Sequence, residues 1–211
     1  MARLEWNARG LRYFETGVDR VVLYTGAVGV PWVGVVAVRE APVGGEPRSH
    51  YIDGVKFVNV ASSVEYAATI EAFSAPKEFD ACDGRFEIQN GLYVTNQKRQ
   101  TFDFCYRTLV GNEIQGAEHS YKLHLVYGAL AEATDRNRST IDSKITPETI
   151  SWNISTLPPL LNGWRPSSHF IIDVRQTPTS LLLDLENILY GIPSADPRMP
   201  SVSELNSMFT A

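Results

Sequence analysis

Strict two-residue alternation of apolar and polar side chains is the feature that constrains this chain most. In Thr149–Thr156, Ile150, Trp152 and Ile154 fall on one side and Ser151, Asn153 and Ser155 on the other. An extended strand sends successive side chains to opposite faces, so this period demands β-structure. Thr101–Thr108 repeats it, with Phe102, Phe104 and Tyr106 opposite Asp103, Cys105 and Arg107. So does His119–Tyr127, with Tyr121, Leu123, Leu125 and Tyr127 opposite Ser120, Lys122 and His124. Tyr66, Ala68 and Ile70, then Phe86 and Ile88, give weaker versions. Such alternation belongs to antiparallel strands with one face on a core and the other wetter. Asn90-Gly91, between Phe86–Gln89 and Leu92–Thr95, is a hairpin-turn signal. About eight to ten such strands, with Gly and Pro between them, predict a mainly β fold, an antiparallel β-sandwich or barrel.

One segment departs from the period. Leu181, Leu182, Leu185, Ile188 and Leu189 follow helical spacing. With Thr177 as N-cap, Pro178 at the first helical position and Gly191 as the stop, one flanking α-helix is expected over about residues 178–190. Upstream, Val21–Val38 is apolar but interrupted by Gly26, Gly29 and Gly34, and it runs into Ala41–Pro47, a loop by composition. A strand, a long loop and a return strand at Tyr51–Val60 are expected there, an extended arm at about residues 25–60. The chain then divides into a β domain over 1–191 and a Pro-containing C-terminal tail over 192–211. Val202, Leu205, Met208 and Phe209 in that tail have helical spacing and either dock on an apolar surface or fray.

The residues offer no chemistry. With 44% hydrophobic and 20% charged residues the chain can bury a sizeable core. No apolar run approaches the roughly 18 residues that span a bilayer, and Met1–Gly10 does not resemble a secretory leader. Cytoplasmic synthesis is expected. Cys82 and Cys105 are too few for a disulfide scaffold or a zinc site of cysteines. Both are expected reduced, with a single bridge between them as the alternative. His119 and His124, five apart on a strand, face opposite ways, and His50 and His169 stand isolated in the sequence. Neither a GxSxG elbow nor a phosphate loop is present. Gly26-Ala27-Val28-Gly29 leads to Pro31 and a β-like run, not to a helix N-terminus. Asp80 and Asp83 surround a turn, where Asp commonly satisfies backbone groups. No catalytic residue, cofactor or metal is therefore expected. A net charge of −5 argues against sequence-independent DNA binding, which needs clustered Lys and Arg. Trp164, in Leu160–Pro166, has three open readings: stacking on a sugar, plugging a neighbouring subunit, or capping the core edge.

The ordered series of motifs carries more. Phe102-Asp103-Phe104-Cys105-Tyr106-Arg107-Thr108, then Gly111-Asn112, Gly116 and Tyr121-Lys122-Leu123-His124-Leu125-Val126-Tyr127 come first. Ser151-Trp152, Thr156-x-Pro158, His169–Asp173 and Leu182–Gly191 follow. Over residues 60–191 this series resembles the major tail proteins, the tail tube subunits, of long-tailed phages of actinobacteria. There the pattern reads F-S-F-x-Y-R-T-x-x-G-N, then G-Y-K-I/L-H-L-V-Y-N. Cys105, at the open position of that pattern, stands where a small or hydroxyl residue is expected, and His119-Ser120-Tyr121 lacks the glycine before Tyr. The first 60 residues carry no matching motif.

The resemblance implies a β-sandwich with a flanking helix. It implies hexameric rings that stack into a hollow tube through which the genome passes without specific binding. The implied partners are the chain itself, a tape measure protein and tail terminator or distal tail proteins. The implied location is the virion tail, after synthesis in a host bacterium. On that basis Val28–Val38 and Tyr51–Val60 are expected to form a hairpin lining the tube, with residues 39–50 reaching a neighbouring ring. Val35, Glu40, Gly44, Gly45, Arg48, Trp164, Leu205 and Phe209 are the expected inter-subunit contacts. The alternatives are another ring-forming tail protein, a carbohydrate-binding β-sandwich module on a virion and, furthest from the residues, an enzyme on a β-barrel.

Overall fold

The structure, a computed structural model, describes residue 6, residues 8–140 and residues 147–210. Its strands in chain order are β1 (Tyr13–Thr25), β2 (Val28–Pro31), β3 (Val35–Glu40), β4 (Val43–Gly44), β5 (Pro47–Ile52), β6 (Val55–Ala61), β7 (Val64–Glu65) and β8 (Ala68–Ala72). After a 3-10 turn at Lys77–Phe79 come β9 (Phe86–Gln89), β10 (Leu92–Val94), β11 (Phe102–Asn112), β12 (Gly116–Ala131), β13 (Ile150–Thr156) and β14 (His169–Asp173). Helices α1 (Thr179–Tyr190) and α2 (Val202–Thr210) close the chain. The main antiparallel sheet has the order β2-β1-β11-β12-β13-β8-β3, and β14 shares the free edge of β12 with β13.

The alternating segments form the strands that their period demands. Phe102, Phe104 and Tyr106 of β11, Trp152 and Ile154 of β13, and Ile70 and Ala72 of β8 all enter one inner core. That core draws on strands from both ends of the sheet, as a curled sandwich requires. Trp32, Phe79 and Trp152 meet edge-on or tilted at its centre, with ring centroids 4.5–5.5 Å apart. The Trp32 indole N–H donates to the Ser74 carbonyl at 2.8 Å, so its burial leaves no open donor.

Strand β12 spans both halves of this arrangement because it bends at Gly128. There φ is +62°, and a Cβ would lie 2.5 Å from the Leu157 carbonyl oxygen, so the position needs glycine. Phe102 and Phe104 pair with Ala129 and Val126, so β12 carries one extra residue between those partners. This bulge resets the alternation, so Ala129 and Ala131 join Val126 in the inner core. The Asp103 carboxylate accepts the freed Gly128 N–H at 2.7 Å.

Cys105 corrects the expectation of a wetter second face. It is fully buried in a second core with Val22, Tyr24, Leu123, Leu125 and Ile172. Four adjacent strands, β1, β11, β12 and β14, contribute to that core, and α1 and α2 cover it through Leu185, Leu189 and Leu205. Each fully buried leucine contributes about 1.5–3 kcal/mol of transfer free energy. The second helix was expected only as a short amphipathic piece; it is regular and docks on its own chain. Hydrogen bonds hold the connecting segment. Gly29 N–H donates to Pro197 O at 2.7 Å, Arg198 N–H to Ile188 O at 2.9 Å, and the Tyr127 hydroxyl to Pro200 O at 3.0 Å.

Helix α1 matches its expected span, and Gly191 N–H closes it on Asn187 O. Its N-terminus differs. Pro178 holds the cap position without a side-chain bond, and the Thr177 hydroxyl donates instead to Asp173 O at 2.9 Å. Asn90-Gly91 forms the expected turn between β9 and β10. Both cysteines are free. Among the described residues no helix is long and apolar enough to cross a membrane.

Candidate functional site

The arm differs from its expected form in pairing and extent. Val28–Pro31 pairs with β1 and Val35–Glu40 with β8, so Val28–Val38 does not pair with Tyr51–Val60. The segment expected as one return strand, Tyr51–Val60, contains the turn itself. Asp53 and Gly54 have φ of 52° and 78°, the two positive angles of a type I′ hairpin turn. Nested ladders run outward from the body. They begin with Val35↔Ala72 to Glu40↔Ala68, continue through Val43↔Glu65 and Gly44↔Val64, and end with Pro47↔Ala61 to Ile52↔Val55. Residues 35–72 are therefore one long hairpin, and residues 39–50 are mostly strand. At about 3.3 Å per residue, its outer part from Val43 to Ile52 reaches about 30 Å.

Every residue of β5 and β6 is exposed. Tyr51, Ile52, Val55, Phe57, Val58 and Val60 concentrate apolar surface there, with Phe57 72% accessible. Alternation puts Val58 and Val60 on one face and Phe57 on the other, so neither face of the ribbon is wholly polar. A two-stranded ribbon without a covering layer is marginal in water, and contiguous exposed apolar surface marks an interaction site. A second exposed apolar group, Leu157, Leu160 and Trp164, lies in the loop between β13 and β14.

At the root of the arm the structure gathers a polar cluster. Glu40 ends β3, and the Tyr106 hydroxyl donates to its Oε1 at 2.6 Å. His124 of β12 and His169 of β14 lie diagonally across their ladder, since His124 pairs with Ile171 and Val126 with His169. His124 Nδ1 and His169 Nε2 are 3.0 Å apart. Glu40 Oε1 is 3.7 Å from His124 Nδ1, and Glu40 Oε2 is 4.0 Å from His169 Nδ1. The rings of Tyr106 and His124 stack at 4.5 Å, and Tyr66 sits 4.5 Å from the His169 ring.

On its other side His124 Nε2 lies 3.0 Å from Thr108 Oγ1, which donates its proton to Glu15 Oε1 at 2.5 Å. Burial raises the Glu15 carboxyl, but hydrogen bonds from Lys122 and Thr108 outweigh it and hold the group below its ordinary pKa. Burial lowers both imidazoles, His169 to about 4, against the opposing pull of Glu40. Burial thus favours the neutral form of both imidazoles. Burial also raises the Tyr106 and Tyr66 phenols, which stay protonated donors.

The expected contact residues separate into four groups. Gly44, Gly45 and Arg48 lie in the exposed arm. Gly44 pairs with Val64, Gly45 N–H donates to Ser62 Oγ at 3.0 Å, and Arg48 pairs with Val60. Trp164 is 80% accessible and Phe209 is partly so. Val35 packs against the inner core, and Glu40 belongs to the root cluster. Leu205 is a correction. It is 5% accessible, buried beneath its own helix against Leu185 and Leu189, and has little surface left for a neighbour.

The histidine reading also changes. His119 and His124 do not meet, but His169, isolated in sequence, meets His124. The signal that could have shown this is antiparallel pairing of His169–Asp173 with Lys122–Val126. The signal for the arm was Asp53-Gly54, a type I′ dipeptide inside the segment read as one strand. Neither a protein-family model, nor a curated protein, nor a solved structure matches this chain.

Proposed function

We propose that this chain is a self-assembling structural subunit of a phage tail. Copies associate into hexameric rings that stack into the hollow tube through which DNA passes. The observation that carries this reading is the arm, which extends about 30 Å, exposes apolar side chains on both faces and, among the described residues, has no layer packed over its outer strands. Such a ribbon gains stability when a neighbour covers it or extends its edge by strand addition. The loop with Leu157, Leu160 and Trp164 supplies a second sticky surface, and a stacking ring needs two heterologous surfaces. The resemblance of residues 60–191 to actinobacterial phage tail tube subunits supports the same reading. It brings the tape measure and the terminator or distal tail proteins as further partners, and the virion tail as location.

The test is negative-stain electron microscopy of the purified chain over a rising concentration series. Rings or tubes are expected for the parent, and Phe57→Asp with Val60→Asp should abolish them while the circular dichroism spectrum stays the same. Monomers of the parent at every concentration would sink the reading.

A further inference from the structure

We propose that Glu40, His124 and His169 form a binding site for one divalent transition-metal ion of the zinc class, which ties the root of the arm to the body of the sheet. Three side chains with metal-ligating atoms converge there from three strands, β3, β12 and β14. Two imidazole nitrogens bound at about 2.0–2.1 Å to a tetrahedral zinc lie about 3.3–3.4 Å apart. His124 Nδ1 and His169 Nε2 stand at 3.0 Å, and Glu40 Oε1 is 3.7 Å from His124 Nδ1. Adjustments of a few tenths of an ångström bring all three onto one ion. Two imidazole donors suit zinc and its neighbours, whereas calcium and magnesium take all-oxygen ligand sets.

The hydrogen-bond chain behind His124 fixes which nitrogen is free. Thr108 spends its only proton on Glu15, so Thr108 Oγ1 accepts, and His124 Nε2 carries the hydrogen. Nδ1 then presents a bare lone pair to His169. This is the outer-shell arrangement that orients metal-bound histidines. With hydrogen on Nε2, neutral His169 donates to His124 Nδ1 at 3.0 Å; with hydrogen on Nδ1, two bare nitrogens confront each other there. A cation between the nitrogens takes both lone pairs in the second tautomer. The Tyr106 hydroxyl on Oε1 holds the Glu40 carboxylate in position, and Glu40, the most accessible of the three, leaves a side open for a water as fourth ligand.

This inference does not depend on polymerisation and is tested on dilute, untagged, chelator-stripped protein. Titration calorimetry with zinc chloride should give one saturable site per chain. Cobalt(II) should develop the intense visible bands of a tetrahedral complex, and zinc should raise the thermal midpoint by several degrees. His169→Gln should lose the cobalt bands and weaken zinc binding at least a hundredfold. Glu40→Gln, at a more exposed position that keeps an acceptor for Tyr106, should weaken it about tenfold. Absence of saturable binding to the parent overturns the proposal, as does binding unchanged in either variant.

Discussion

At the scale of single residues, burial decides what each reactive group can do. Cys82 and Cys105 are buried, and burial pushes both thiols up to about 12. Near pH 8 neither carries enough thiolate to react. The expected outcome is silence toward a disulfide reagent in the folded protein and reaction of both thiols once guanidinium unfolds it. Rapid reaction of either in the native state would contradict the placement. Leu205 and Phe209 lie four apart on α2 but differ in cover. Leu205→Ala should cost about 2–4 kcal/mol, by lost transfer energy and the cavity left behind. Phe209→Ala should cost far less, and urea denaturation curves compare the two directly.

At the scale of elements, the arm is a separate stability problem from the sheet that carries it. Its outer strands bury nothing, so they open locally at low cost while the two cores stay closed. Gly44 locates the vulnerable point. Its φ is +92°, and a Cβ would sit 2.3 Å from the Ser63 carbonyl oxygen across the ladder. Gly44→Ala should therefore unpair the arm at a local cost of about 1–3 kcal/mol. Limited proteolysis should accelerate between residues 45 and 62, while the global thermal midpoint moves by only a degree or two. A large fall in that midpoint would mean that the arm and body fold as one unit. The strands of the body were legible because alternation is a local property, visible wherever one face is buried. The arm's own strands are hard to read from sequence for a physical reason. Exposed on both sides, they carry little alternation to read, and the ladders that align them depend on pairing partners up to 37 positions apart, as in Val35↔Ala72.

At the scale of the whole molecule, charge and sticky surface oppose each other. Each copy carries −5, so copies repel over a Debye length of about 10 Å at 0.1 M salt. Apolar surface on the arm and in the 157–164 loop favours contact. Moderate salt should thus lower the concentration at which light scattering reports assembly; a rise with salt would mean that ion pairs, not apolar surface, hold the copies together. The sequence by itself determined a mainly antiparallel β architecture, the α1 helix, the Asn90-Gly91 turn and the inner face of β11 and β13. Each follows from periodicity or turn chemistry within about ten residues. Only the tertiary structure decided that Cys105 faces a second core, that α2 covers that core, and that residues 35–72 form one hairpin. It alone brought Glu40, His124 and His169 together. These rest on pairings between residues far apart in the chain, and short-range pattern carries no information about which distant strand lies alongside.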